Sequence, residues 1–98
     1  MFSLIMMLSC NQAKLSDARD QYVRGDYYSA SQTYKKLYTQ SRNKDNALKG
    51  IIAFEMAEVY RKLNRSSHAV NAYKNAIRYE YPDSLIYLRY AQMLHKQG

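Results

Sequence analysis

Helix breakers are scarce in this chain of 98 residues, which holds three glycines and one proline. A strand-rich fold needs a turn every few residues, so that scarcity favours helices joined by short turns. Tryptophan is absent. The single cysteine, Cys10, excludes an internal disulfide, and His68 and His95 lie too far from it in sequence to give a zinc-ligand spacing. No glycine-rich loop is present to cradle a phosphate, so neither a metal nor a cofactor is expected. A chain this short forms one small domain whose core buries a modest share of its surface, and stability has to come from stacking similar elements.

What is abundant is tyrosine. Apolar residues make up 47% of the chain, and eleven of them are tyrosines, which bring a hydroxyl with the ring and suit half-buried, wet surfaces. The formal charge of +7 raises a nucleic-acid reading, since clustered Lys and Arg neutralise phosphates. Here the basic residues are scattered. Lys35-Lys36, Arg61-Lys62 with Arg65, and Arg42 with Lys44 each have neutral or acidic neighbours, which is the pattern of a solvated basic surface. No nucleic-acid partner and no small-molecule substrate are expected.

The first ten residues differ in kind. MFSLIMMLSC carries no charge, ends in Ser9 and Cys10, and gives way at once to the polar Asn11-Gln12. A short apolar run closed by a small residue and Cys is similar to the end of a bacterial lipoprotein signal, whose Cys thiol is acylated. On that reading residues 1–10 are a signal remnant. Cys10 is then the lipidation site, and residues 11–98 sit at a membrane surface outside the cytoplasm. The plainer alternative is an N-terminal tail that only packs on the rest.

Matched against itself, the sequence repeats at an offset of 39, pairing Ala18 with Ala57, Ala30 with Ala69 and Tyr34 with Tyr73. At an offset of 34, Ala57 pairs with Ala91 and Tyr60 with Leu94. Gly25, Asn64 and Gly98 then share one position, and Gly and Asn tolerate the positive φ of a tight interhelical turn. Units are expected at about 11–40, 50–83 and an incomplete 84–98.

Within the first unit the spacing predicts a helix over 12–24, a turn at Gly25, and a helix from Tyr27 to about Tyr38 capped by Asp26. The polar stretch 40–46 reads as a loop. The second unit predicts helices over 51–63 and 67–79. Ile52, Met56, Val59, Tyr60 and Leu63 make one apolar stripe, and Ala69, Tyr73, Ala76 and Ile77 the facing one. Pro82 stops the second helix, Asp83 or Ser84 caps a third-unit helix over 85–96, and a further helix is expected beyond Gly98 to cover its apolar face.

Two segments carry a family resemblance. YVRGDYYSASQTYKKLY and YRKLNRSSHAVNAYKNAIRYEYP resemble tetratricopeptide signatures in the turn Gly or Asn, the Ala five or six residues later and the Tyr four beyond; the second also has the closing Pro, while the first departs in having Gln21 where an aromatic is usual and Arg42 in place of Pro. From Cys10 onward the chain also resembles the N-terminal repeats of OmpA-family lipoproteins of the Bacteroidota, the PorE-like component associated with type IX secretion. In those proteins a lipobox Cys precedes a unit like RGDYYSASQTYKKLY, and residues like AIRYEYPDSLIYLRYAQMLHKQG follow. The first resemblance implies an all-α fold of antiparallel helix pairs stacked as a right-handed superhelix of about two and a half repeats. The second implies an outer-membrane lipoprotein facing the periplasm, with a β-propeller and a peptidoglycan-binding domain downstream.

In a stack of helix pairs the first helix of each unit lines the concave side, where a partner can lie. The expected lining residues are Leu15, Arg19 and Tyr22; then Phe54, Glu58, Arg61 and Lys62; then Leu85, Leu88, Gln92 and His95. A carboxylate clamp of the chaperone-adaptor kind needs Lys and Asn where this chain has Leu15, Arg19, Glu55, Leu85 and Arg89. Glu55 and Glu58 could in principle do acid-base work, but beside Arg61 and Lys62 they read as weak surface pairs. No enzyme activity is expected. The expected function is a protein-binding scaffold of the cell envelope, anchored through Cys10, the alternative being a soluble cytoplasmic repeat adaptor.

Overall fold

Three of the turns between helices are closed in the same way. In the computed structural model, which describes residues 13–41 and 45–97, Gly25 has φ +80, while Asn64 and Glu80 each have φ 58. Around each the same pair of backbone bonds closes the preceding helix. The next residue's N–H reaches back five positions, Asp26 to Gln21, Arg65 to Tyr60 and Tyr81 to Ala76, and the positive-φ residue's own N–H reaches back three. This is the Schellman closure, which satisfies carbonyls a helix end would otherwise leave open. Gly25 and Asn64 fulfil the expectation drawn from their shared repeat position. Glu80 was not foreseen, because its side chain gives no hint of a left-handed backbone.

The described residues form five α-helices and no strand: α1 (Leu15–Val23), α2 (Tyr27–Gln40), α3 (Asn46–Lys62), α4 (Ser66–Arg78) and α5 (Leu85–Gln97). The all-α class is as expected. Asp26 does cap α2, accepting from the Ser29 N–H, and Asp83 accepts from the Leu85 N–H at the start of α5. Most boundaries shift by a residue or more from the sequence reading, and three of the shifts follow from the local backbone. α1 starts at Leu15, with Lys14 before it in extended backbone. α4 ends at Arg78, ahead of Pro82, because the Glu80 closure has already reversed the chain.

The third difference is the largest. α3 begins at Asn46, five residues before the expected Ile51, since Asp45 Oδ1 accepts from the N–H groups of Ala47 and Leu48 at 3.0 and 3.2 Å. The extra residues of the first repeat interval therefore lengthen a helix, and the expected loop over 40–46 shrinks. Gly50 sits inside that extension and does not break it. A Cβ there would stand 3.2 Å from Tyr79 Cβ and 3.3 Å from Tyr79 O, so glycine is what lets the end of α4 approach. Lys49 beside it is buried, its Nζ 5.1 Å from the Tyr38 ring centre and 5.3 Å from that of Tyr79.

Each helix packs on the one before it in sequence. Side-chain pairs give the directions. Tyr60 meets His68, Phe54 meets Tyr73, and Gly50 meets Tyr79, so numbers rise along α3 as they fall along α4. Tyr34 to Glu55 and Tyr38 to Lys49 run α2 and α3 antiparallel in the same way. Ser67 at the start of α4 meets Gln97 at the end of α5, and the short connection over 79–84 joins their other ends, so α5 also runs against α4.

The core follows the repeat. Ala18, Ala57, Ala30 and Ala69 are wholly inaccessible and let backbones approach, while Tyr34 and Tyr73 fill the space beside them. Ile52, Met56, Val59 and Tyr60 are buried as the stripe predicts. The third match, Ala91, is exposed, as are Tyr87 and Leu94 on the same helix. Among the described residues no helix is long and apolar enough to cross a membrane.

Candidate binding groove

One face of the molecule is made by α1, α3 and α5, tied side to side by charged residues that α3 supplies. Glu55 points toward α1 and holds Arg19 in a two-pronged contact, Nε to Oε1 at 2.9 Å and the terminal nitrogen to Oε2 at 2.7 Å. One turn on, Glu58 faces Arg89 of α5 at 3.4 Å and Arg61 of its own helix at 3.1 Å. From beneath, the second helix of each pair completes the two sites. Tyr34 of α2 donates its hydroxyl to Glu55 at 2.8 Å, and Tyr73 of α4 donates its hydroxyl to Glu58.

The local sequence dictates this arrangement. Residues three apart on a helix share a face, so Glu55 and Glu58 emerge on one side of α3. Residues 34 and 73 occupy one repeat position and therefore reach α3 from α2 and α4 at similar depth. The two carboxylates are well sheltered, with the Glu58 side chain 16% and that of Glu55 24% exposed. A sheltered carboxylate has to be paired, and both are.

The electrostatic consequences fall on the partners. Burial first, and then the bond to Glu55, push the Tyr34 phenol above the ordinary tyrosine range, and burial with the bond to Glu58 does the same for Tyr73. The hydrogen bond to Glu55 holds the Arg19 guanidinium more firmly protonated. Tyr22 is raised by burial.

Between α1 and α3 a cleft of about 370 Å³ opens. Arg19, Tyr22 and Val23 of α1 form one wall, Phe54, Glu55 and Glu58 of α3 the other, and Tyr34 the floor. Val23 at the mouth is 82% exposed, a large apolar side chain standing in water. Phe54 presents only an edge, since it stacks on Tyr81 at 4.3 Å and lies almost wholly in the core. A second, more polar hollow of about 280 Å³ lies among α2, α3 and α4 beside Tyr60, His68 and Asn71.

Of the expected lining residues, Arg19, Tyr22, Phe54 and Glu58 meet at the cleft. Arg61 stands beside them, against Glu58. Leu15 is half-buried against the core, and Lys62 is exposed. Leu85, Leu88, Gln92 and His95 are exposed on α5 and do not line the cleft. Cys10 lies outside the described residues. Val23, Tyr34 and Glu55 were missed as groove residues.

The reading of Glu55 and Glu58 as weak surface pairs is incomplete: Glu58 does pair with Arg61, but both carboxylates are sheltered and each also binds a tyrosine from a neighbouring helix. The repeat match of Tyr34 with Tyr73 carried the signal. Two equivalent hydroxyls needed two acceptors on the helix between them. Chemically the arrangement is a fixed surface, with every cleft carboxylate already engaged by a cation and a phenol, beside an open apolar slot. Comparisons of the chain with protein-family models, with curated proteins and with solved structures each find no match.

Proposed function

We propose that this chain is a tetratricopeptide-type repeat segment that binds another protein along the groove of α1, α3 and α5. The observation that carries the proposal is the cleft between α1 and α3, whose walls are held by paired charges while its mouth exposes Val23. A rigid slot beside polar groups satisfied in advance loses little entropy on binding. Aromatic and arginine side chains in such a setting are the groups that dominate interface energies.

The finer fold reading draws support from the antiparallel helix order, the inaccessible alanines at matched positions, and the common closure at Gly25 and Asn64. A right-handed superhelix of about two and a half units is the stacking these features suit. The resemblance to OmpA-family lipoproteins extends the proposal to an outer-membrane scaffold facing the periplasm, linked to type IX secretion and to peptidoglycan anchoring, with Cys10 as the lipid-bearing residue.

A photo-reactive amino acid introduced at Val23 tests the groove, with the same group at Tyr28, exposed on α2, as the control. Cross-links to a partner concentrated at position 23 are expected, and equal yield at both positions would remove the groove from the account. Labelling with radioactive palmitate tests the anchor. A Cys10→Ala variant that still takes up label counts against it, and a chain that washes off membranes favours the soluble adaptor.

A further inference from the structure

The groove is not balanced in charge. Arg19, Arg61 and Arg89 stand against Glu55 and Glu58, so three cations share two carboxylates. The excess lies on the α3–α5 side, where Arg61 and Arg89 divide Glu58 between them and the buried Nε of each has no hydrogen-bond partner among the described residues. Exposed Lys62 occupies the repeat position of Val23, thirty-nine residues on, and, four residues past Glu58, adds a further positive charge to the same face of α3. The α1–α3 side is the apolar slot. Glu58 borders both, because it lines the cleft and holds the two arginines.

From this juxtaposition we infer that the groove takes an acidic peptide segment that seats an aromatic or large aliphatic side chain between Tyr22, Val23 and Phe54 and sets its carboxylates over Arg61, Arg89 and Lys62. The inference rests on the protein-binding reading above and adds the chemistry of the partner. A basic segment is repelled by the surplus of arginine, since the carboxylates that could receive it are already paired. A neutral segment fills the slot and leaves the excess charge uncompensated. The overall charge of +7 favours the approach of an acidic partner in the same sense.

The test is fluorescence anisotropy of the whole chain with four blocked, labelled peptides: a phenylalanine flanked by glutamates, by serines or by lysines, and the glutamate-flanked peptide with alanine for phenylalanine. The first is expected to bind at least about tenfold tighter than any other, with affinity falling as salt is raised. Lys62→Glu, on an exposed side chain, should weaken it about threefold to tenfold while leaving the helical spectrum unchanged. Val23→Ser should weaken the glutamate- and serine-flanked phenylalanine peptides alike. Equal or tighter binding of the lysine-flanked peptide, or indifference to Lys62→Glu, overturns the acidic partner while sensitivity to Val23→Ser keeps the groove. Absence of binding by all four, or binding indifferent to Val23→Ser, overturns both.

Discussion

Tyr34 and Tyr73, thirty-nine residues apart, each donate a phenolic hydrogen to a carboxylate of the same helix, the first to Glu55 and the second to Glu58. The relationship locks α3 from both sides. A tyrosine at a buried repeat position has to satisfy its hydroxyl, and the carboxylate that does so is turned outward toward the groove, where an arginine neutralises it. Core packing and the charge pattern of the groove are thus consequences of one substitution pattern.

Removing either hydroxyl should therefore cost stability without changing the fold. Tyr34→Phe leaves Glu55 with Arg19, and Tyr73→Phe leaves Glu58 with Arg61 and Arg89. Each is expected to destabilise by about 1.5–3 kcal/mol, the worth of a hydrogen bond to a charged acceptor. Urea unfolding followed by circular dichroism measures it, and loss of less than about 0.3 kcal/mol in both variants would mean the bonds contribute nothing net.

The same pair predicts an alkaline limit. Both phenols are held above their ordinary range in the folded chain. A raised group contributes its full stabilisation below the unfolded value, near pH 10, and loses it as the pH climbs through the folded value. Stability should thus be level from about pH 7 to 9 and fall beyond about pH 10. Urea midpoints at successive pH values should show a shallower alkaline decline in a Tyr34→Phe, Tyr73→Phe double variant. Some slope remains, since burial also raises Tyr22, Tyr38, Tyr60 and Tyr81.

Much of this was legible in the residues. Periodicity gave the α3 and α4 stripes, the alanine matches gave the close contacts, and Gly25 and Asn64 gave two of the three left-handed closures. The parts that were hidden share a cause, since they depend on what the chain meets in space. The start of α3 was misjudged because Gly50 reads as punctuation until Tyr79 is seen pressing on it. Glu80 reads as an ordinary helix residue until the backbone is traced. Glu55 looked like a solvated charge because the tyrosine that binds it lies twenty-one residues away.

Arg19 and Glu55 give a smaller effect than their geometry suggests. The contact is two-pronged, but the Arg19 side chain is 53% exposed, so solvent screens the pair. A double-mutant cycle with Arg19→Ala and Glu55→Gln should return a coupling of about 0.5–1 kcal/mol, reduced further in molar salt. Coupling above about 2 kcal/mol would show that the groove face is drier than this exposure allows.

Gly50 and Gly25 separate two reasons for needing glycine. At Gly25 a Cβ meets nothing within 4 Å, so Gly25→Ala suffers only from the left-handed backbone at φ +80, about 1–2 kcal/mol. At Gly50 the helical backbone suits alanine, which gains up to about 1 kcal/mol in propensity. The added Cβ, however, presses on the carbonyl and Cβ of Tyr79 at 3.3 and 3.2 Å. Backbone cannot swing away as a side-chain tip can, so the end of α4 has to shift, and the net expectation is a loss of about 1 kcal/mol. Hydrogen exchange distinguishes the two. Gly50→Ala should weaken protection of the Glu80 and Tyr81 amides, whose bonds to Ile77 and Ala76 close α4, whereas Gly25→Ala should weaken only the amides at positions 25 and 26, whose bonds to Tyr22 and Gln21 close α1. A Gly50→Ala chain more stable than the parent, with the Glu80 turn fully protected, would show that α3 and α4 approach less closely than 3.2 Å implies.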